Sequence, residues 1–240
     1  ENTKLNTIPD LTSILDRLCP SLCNAITGRN NSRHMLDNLE SRSLFLFSLD
    51  DDREWYRYHN LFSDFLRKYL NTEIPNLANE LHVRASEWFA SQNFIDEAIQ
   101  HALAGKDMER AARFLNQACD DLFYSGRLST LAEWFKQIPE THLHSYPRIL
   151  LDQAWSVILE WRFALARRML DDVHAILQEQ ETGGGSEIEL GFLRSLLKHR
   201  EMMFALFRDD MPHAERLCQE MLQDFPVTDP YLRGNLYACL

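Results

Sequence analysis

The sequence contains no G-x-x-x-x-G-K-[ST] run, so it has no phosphate-cradling loop of its own. No apolar run approaches the ~20 residues needed to span a bilayer, and the opening "ENTKLNTIPDLTS" resembles no signal peptide. Eight Gly and eight Pro are too few for a long disordered or collagenous stretch. The five cysteines are odd in number, and Cys19 and Cys23 find no second pair at zinc-ligand spacing. They read as small buried residues in a reducing, cytoplasmic setting. Cations are scarce: 25 Lys+Arg stand against 36 Asp+Glu, a net charge of -11. Residues 1–72 carry 9 against 10, and residues 73–240 carry 16 against 26, so neither stretch is a clamp for a phosphate backbone. There is no H-E-x-x-H, no nucleophile signature near His142 or His144 in their polar loop, and no EF-hand spacing around Asp50-Asp51-Asp52. The chain is therefore expected to be non-catalytic, without metal or resident cofactor.

What is present is the mixture of a soluble globular protein, 45% hydrophobic and 25% charged. The chain starts on Glu1 and ends on "NLYACL", inside an apolar pattern, which reads as a piece of a longer protein. Residues 1–72 follow the order helix, helix, hairpin, helix. "SLCNAITG" is a short helix stopped by Gly28, and Ser32 can cap a second helix with Met35, Leu36 and Leu39 on its apolar face. "LFLFSL" and "EWYRYH" flank the acidic turn as two strands. This is the pattern of a winged helix. After Trp55-Tyr56-Arg57-Tyr58 comes His59, and then an amphipathic helix with Leu61, Phe62, Phe65, Leu66 and Tyr69. A titratable ring thus stands on a strand-to-helix corner, where it either fills a turn or reads a ligand.

From residue 73 to 240 only helical periodicity remains. Small alanines recur early in the second helix of successive hairpins: Ala98, Ala132, Ala166 and Ala214. The first two gaps are 34 residues, the period of a tetratricopeptide hairpin; the last is 48 and contains the insertion "ETGGGSE". Alanine suits such positions because paired helices cannot close around a bulky side chain. Trp161 stands where a turn glycine would be expected. The fold class is thus mainly α, a winged-helix module at 1–72 followed by a tetratricopeptide-like superhelix at 73–240.

From about Leu11 to Leu177 the chain resembles MalT-like transcriptional activators. "LDRLCPSLCNAITGRNNSRHMLDNLESRSLFLFSLDDDREWYRYHNLFSDFLRKYL" is similar to their winged-helix arm, and "LHVRASEWFASQNFIDEAIQHALAGKDMERAARFL" to the helical segment that follows. The resemblance implies a signal-transduction ATPase: an upstream nucleotide-binding domain holding ATP or ADP, this arm, and a helical sensor for an inducer. Self-association on activation and a downstream LuxR-type DNA-binding domain complete the family pattern. In the wider class a methionine-histidine-aspartate motif lies at the strand-to-helix corner, its histidine touching the β-phosphate of ADP in the resting state. Here the corresponding residues are Tyr58-His59-Asn60: the histidine is kept and the aspartate is not, although Asn60 can cap the helix.

The candidate recognition helix, Ser32 to Arg42, has Arg33 and Arg42 offset by Asp37 and Glu40, and its wing is acidic, which favours protein over DNA as the partner. Trp155, Trp161, Phe163, Phe192, Phe204 and Phe207 have two readings. Aromatics at helical spacing form core, or some of them, Trp155, Trp161, Phe192 and Phe204 foremost, line a concave surface for an inducer or a protein partner. The rival to the regulator reading is a helical-repeat interaction scaffold with no need of nucleotide. No membrane contact is expected under either.

Overall fold

A computed structural model of the chain describes residues 7–42, 45–182 and 187–224, together with positions 234 and 236. The glycine insertion at 183–185 and the apolar end at Leu240 lie outside the described residues. No described helix is long and apolar enough to cross a membrane. The described residues form thirteen helices and one two-stranded sheet, so the chain is mainly α. They gather into two compact units, 1–114 and 115–240.

In the first unit, α1 (Ile8–Thr12) and α2 (Pro20–Thr27) precede α3 (Ser32–Ser41). Pro20 sits at the first helical position of α2, where its missing N–H costs nothing, and Gly28 ends the helix at φ 69° with its N–H on Asn24 O at 2.9 Å. Ser32 is not the cap of α3. Asn31 holds that position, and Ser32 is the first helical residue, its N–H taken by the Asn24 side chain at 3.1 Å. Of the expected apolar face, Leu36 is buried while Met35 and Leu39 are half-buried.

The strands β1 (Leu46–Ser48) and β2 (Tyr56–Tyr58) pair antiparallel, Leu46 with Tyr58 and Ser48 with Tyr56. Leu18, just before α2, adds a third rung, exchanging both backbone hydrogen bonds with Tyr56 at 2.8 Å. Asp50 holds the acidic turn by accepting from the N–H groups of Glu54 (2.8 Å) and Trp55 (3.0 Å). Helices α4 (Asn60–Glu73), α5 (Pro75–Ser91) and α6 (Ile95–Ala104) complete the unit with the first part of α7 (Met108–Tyr124). α5 packs on α1, α2 and α4 as well as on α6, so the 72/73 junction falls within one compact unit.

The second unit contains α8 (Leu128–Gln137), α9 (Glu140–Leu143), α10 (Pro147–Leu159), α11 (Phe163–Thr182), α12 (Glu187–Phe207) and α13 (Met211–Asp224). His142 lies in the short helix α9 rather than in a loop, with His144 directly after it. Consecutive helices from α10 to α13 pack side by side, and α10 also touches α12.

One turn geometry recurs along the helical part. The residue at Asn93, Lys106, Gly126, Trp161 and Asp209 is left-handed, with φ between 60° and 74°. The next residue's N–H returns five positions: Phe94 to Phe89, Asp107 to Ala102, Arg127 to Leu122, Arg162 to Val157 and Asp210 to Ala205, at 2.8–3.1 Å. This double-backed helix end satisfies carbonyls that would otherwise be orphaned. Trp161 does occupy a glycine-like position. Five residues after the left-handed one come Ala98, Ala111, Leu131, Ala166 and Ala214, each buried. Ala132 is therefore one position out of register and only half-buried; Leu131 takes the inward place in that hairpin.

Candidate nucleotide-sensing corner and the faces of the winged helix

His59 leaves β2 in an extended conformation (φ -58°, ψ 133°) and is itself the N-cap of α4, so Asn60 begins the helix and does not cap it. The carbonyl of His59 receives the N–H groups of Phe62 (2.9 Å) and Ser63 (3.0 Å), while its own N–H bonds Phe45 O at 2.7 Å. Phe45 is left-handed at φ 57°, a costly conformation for an aromatic residue. The Phe45 ring stacks on Phe62 at 5.1 Å and lies edge-on to His59 at 6.4 Å. Phe47 approaches the same imidazole at 6.2 Å. The His59 side chain is exposed, and among the described residues nothing hydrogen-bonds its ring.

The corner lies beside exposed apolar side chains. The inward face of α4 is Ser63, Leu66 and Leu70, with Phe62 half-buried. Leu61 and Phe65, members of the amphipathic pattern read from the sequence, are 76% and 66% exposed, and Tyr69 is also exposed. Beside them Phe45, Phe47 and Leu49 each leave about half their surface open. The sequence signal was a second apolar row, 61, 65, 69, next to the first, 62, 66, 70, where an ordinary surface helix has one.

Around α3 and the turn of the hairpin the module is closed on itself. Arg33 of α3 donates to Arg53 O (2.7 Å) and to Glu54 (2.5 Å), Arg53 reaches Glu40 at 3.6 Å, and the Tyr56 hydroxyl donates to Asp37 at 3.3 Å. The cation of α3 that would meet a DNA phosphate is thus spent on the wing. Trp55 is enclosed by Trp88 and Phe94, at 6.3 and 6.2 Å, with the Arg17 guanidinium 4.3 Å from its ring and bound to Glu97 at 2.7 Å. Inside, burial pushes the Tyr58 phenol well up, against its hydrogen bond with Thr12 at 2.9 Å.

Two clefts flank Arg67, which donates to Ser13 O (2.6 Å), Leu15 O (2.9 Å) and Asp16 (2.7 Å). One, of about 350 Å³, is lined by Arg57, Asn60, Ser63 and Asp64 among others. The other, of about 230 Å³, exposes the edge of a histidine pair, His82 and His101, whose Nδ1 atoms are 2.8 Å apart. Burial, aided by Arg67 at His82 and by His82 at His101, lowers both imidazoles to about 4.

Three of the four aromatic candidates of the helical part, Trp155, Trp161 and Phe204, are joined in one chain of ring contacts through Phe207 and Phe163, and Phe192 is not among them. Trp155 and Phe204 are core, Trp155 edge-on to Phe207 at 6.0 Å and Phe204 to Phe163 at 5.9 Å. Trp161 projects from its turn, 66% exposed, against Phe163 and Phe207. Phe192 lies apart, under the Arg148 guanidinium at 5.3 Å. What the sequence did not disclose is a buried ion network beside them. Asp152, fully enclosed, accepts from Arg200 and Arg148, each at 3.1 Å, and Arg148 continues to Asp120 at 2.6 Å.

Residues 11–78 match the MalT winged helix domain family. Over 221 residues the chain is 30% identical to the HTH-type transcriptional regulator MalT of Klebsiella pneumoniae (strain 342), covering 92% of the chain and 24% of that protein. It is 30% identical over 236 residues to MalT of Serratia proteamaculans (strain 568), covering 95% and 25%. It is 33% identical over 229 residues to the serine/threonine-protein kinase PknK of Mycobacterium tuberculosis (strain ATCC 25618 / H37Rv), covering 94% and 20%. The chain spans about a fifth to a quarter of the length of these relatives. With the wing, the strand-to-helix corner and the helical hairpins in place, residues 11–78 form a winged helix that matches the MalT winged helix domain family, and nearly the whole chain is similar to a segment of these MalT-like relatives.

Proposed function

We propose that this chain is the central segment of a MalT-like transcriptional activator. It couples an upstream nucleotide-binding domain to an inducer-sensing helical domain and, beyond that, to a LuxR-type DNA-binding domain. The observation that carries the reading is His59: an exposed imidazole with no hydrogen bond to its ring from described residues, set amid uncovered Phe45, Phe47, Leu61 and Phe65. The apolar surface is the docking face for the nucleotide-binding domain. His59 at its centre donates to the β-phosphate of ADP and holds the resting state. An imidazole suits this task, since its N–H bond to an oxyanion strengthens on protonation.

The segment is non-catalytic, and ATP or ADP belongs to the upstream domain of the whole protein, a slow ATPase switch. The same stretch recurs in relatives named for two different activities, a regulator and a kinase, which suits a shared regulatory module. The recurring turns, with α10 touching both α11 and α12, favour a tetratricopeptide-like sensor domain from residue 73 onward. An inducer or a protein partner acts on that part, with Trp161 the most accessible of the candidate aromatics, and self-association follows activation. Direct DNA contact from this segment is disfavoured by the ion pairs that occupy α3 and the wing. The protein works in the cytoplasm, away from membranes.

Losing one charge-assisted phosphate contact costs about 1.5–3 kcal/mol. If the contact exists only at rest, the inactive-to-active ratio falls roughly 10- to 150-fold. His59→Ala in the whole protein is therefore expected to raise transcription without inducer and to weaken ADP binding. A reporter assay and an ADP titration check it; unchanged basal transcription with unchanged ADP affinity would return His59 to a turn residue.

A further inference from the structure

We infer that Arg57 is a second reader of the same ligand, gripping the nucleotide diphosphate beside His59; this rests on the docking and ADP reading above. In β2 the side chains alternate: Tyr56 and Tyr58 are buried, whereas Arg57 and, beyond the strand end, His59 are exposed. Two residues along a strand place their Cα atoms about 6.5 Å apart on one face, a span that a guanidinium and an imidazole bridge when both meet neighbouring phosphates. Phe47 is the cross-strand partner of Arg57, and Phe45 binds the backbone of His59, so both side chains emerge beside the exposed aromatic residues.

Arg57 differs from most arginines around it. Arg17, Arg33, Arg53, Arg67, Arg84 and Arg110 of the same unit each hold a carboxylate. Arg57 makes no hydrogen bond or ion pair with any described residue. In water that is harmless. Once the surrounding apolar surface is covered, an unpaired guanidinium would be buried, a state proteins do not tolerate, so an anion has to meet it in the docked complex. Within the chain, Arg57 lines a cleft with Asp16 and Asp64, but Asp16 is held by Arg67 and Arg57 pairs with neither carboxylate, which leaves its guanidinium free to meet an anion beside His59. The planar fork of arginine matches a phosphate bidentately.

The test uses the whole protein with its upstream domain and reads ADP and AMP affinities for Arg57→Gln, Arg57→Lys and His59→Gln. Arg57→Gln is expected to weaken ADP about 10-fold or more while leaving AMP, which lacks the second phosphate, nearly unchanged. Arg57→Lys keeps the charge but loses the fork, and should recover only part of the loss. It decides by the same ADP-to-AMP ratio should Arg57→Gln fail to fold. If His59→Gln weakens ADP and neither Arg57 variant does, the role of Arg57 is overturned and that of His59 stands. If no variant changes ADP binding, both fall. Equal weakening of ADP and AMP would also overturn the inference, because it would mean that Arg57 meets a carboxylate of the docked domain or supports the fold.

Discussion

The winged-helix module and the second unit use the same kinds of side chain in opposite ways. In the module, ion pairs such as Arg33–Glu54 and Arg53–Glu40 lie at the surface, while Leu61, Phe65, Phe45 and Phe47 are left uncovered. In the second unit Asp152 and Arg200 are wholly enclosed, and Trp155 and Phe204 are packed away with them. Exposed pairs contribute little, being well solvated with or without each other. A buried pair is different, because each charge depends on its partner to offset desolvation. The module thus leaves apolar side chains uncovered, whereas the second unit encloses this ion pair and these two rings.

The sharpest way to break that comparison is at Asp152. Asp152→Ala leaves Arg200 and Arg148 facing an empty carboxylate site in the core, and is expected to cost about 3–5 kcal/mol. Arg33→Ala removes a surface pair and should leave the unfolding midpoint unmoved. Thermal or urea unfolding of the two variants decides it. Equal losses would mean that the α3–wing pairs are structural, and that the face they close is not merely self-satisfied surface.

Much of this arrangement can be read from the sequence. Gly28 after a short apolar run, two β-rich runs around Asp50-Asp51-Asp52, and the helical pattern after His59 locate α2, the hairpin and the corner. Those features are local: they depend on backbone preference and on periods of two or 3.6 residues. What fails depends on partners distant in sequence. Ser32 could cap as well as Asn31 on composition, and the Asn24 side chain, eight residues back, settles it. Leu61 and Phe65 have the same periodicity as core residues, and only the packing of α4 reveals which apolar row faces out. Asp152 and Arg200 are 48 residues apart, with nothing in either helix to announce the other.

A smaller effect tests the repeat register. Ala166 is fully buried five residues beyond the left-handed Trp161, where its helix meets its neighbours. Ala166→Leu inserts three carbons into that contact and is expected to cost about 1–3 kcal/mol. Ala132→Leu, half-buried and one position out of register, should move the unfolding midpoint far less. If the two variants lose stability equally, the left-handed turns do not set the packing frame of the hairpins.

The smallest expected effect is in pH and concerns the histidine pair of the first unit. His82 and His101 face each other through Nδ1, so one N–H donates and the other nitrogen accepts, an arrangement that two imidazolium rings cannot keep. Asp16 favours their protonation, but Arg67, bound to that carboxylate, opposes it, and burial outweighs both. Each ring titrates at about 4 in the folded state against about 6.5 unfolded, so between those values the unfolded chain binds more protons. The pair's contribution is then complete above pH 6.5 and is lost as pH falls toward 4. Because the pair borders an open cleft that admits water, the loss should be of order 1 kcal/mol, well below what two full shifts would give. Urea midpoints at pH 7, 5.5 and 4.5 measure it, with His101→Gln as the comparison. The variant should show a shallower fall than the parent; an identical fall would place the acid sensitivity in other groups and leave the pair as neutral packing between α5 and α6.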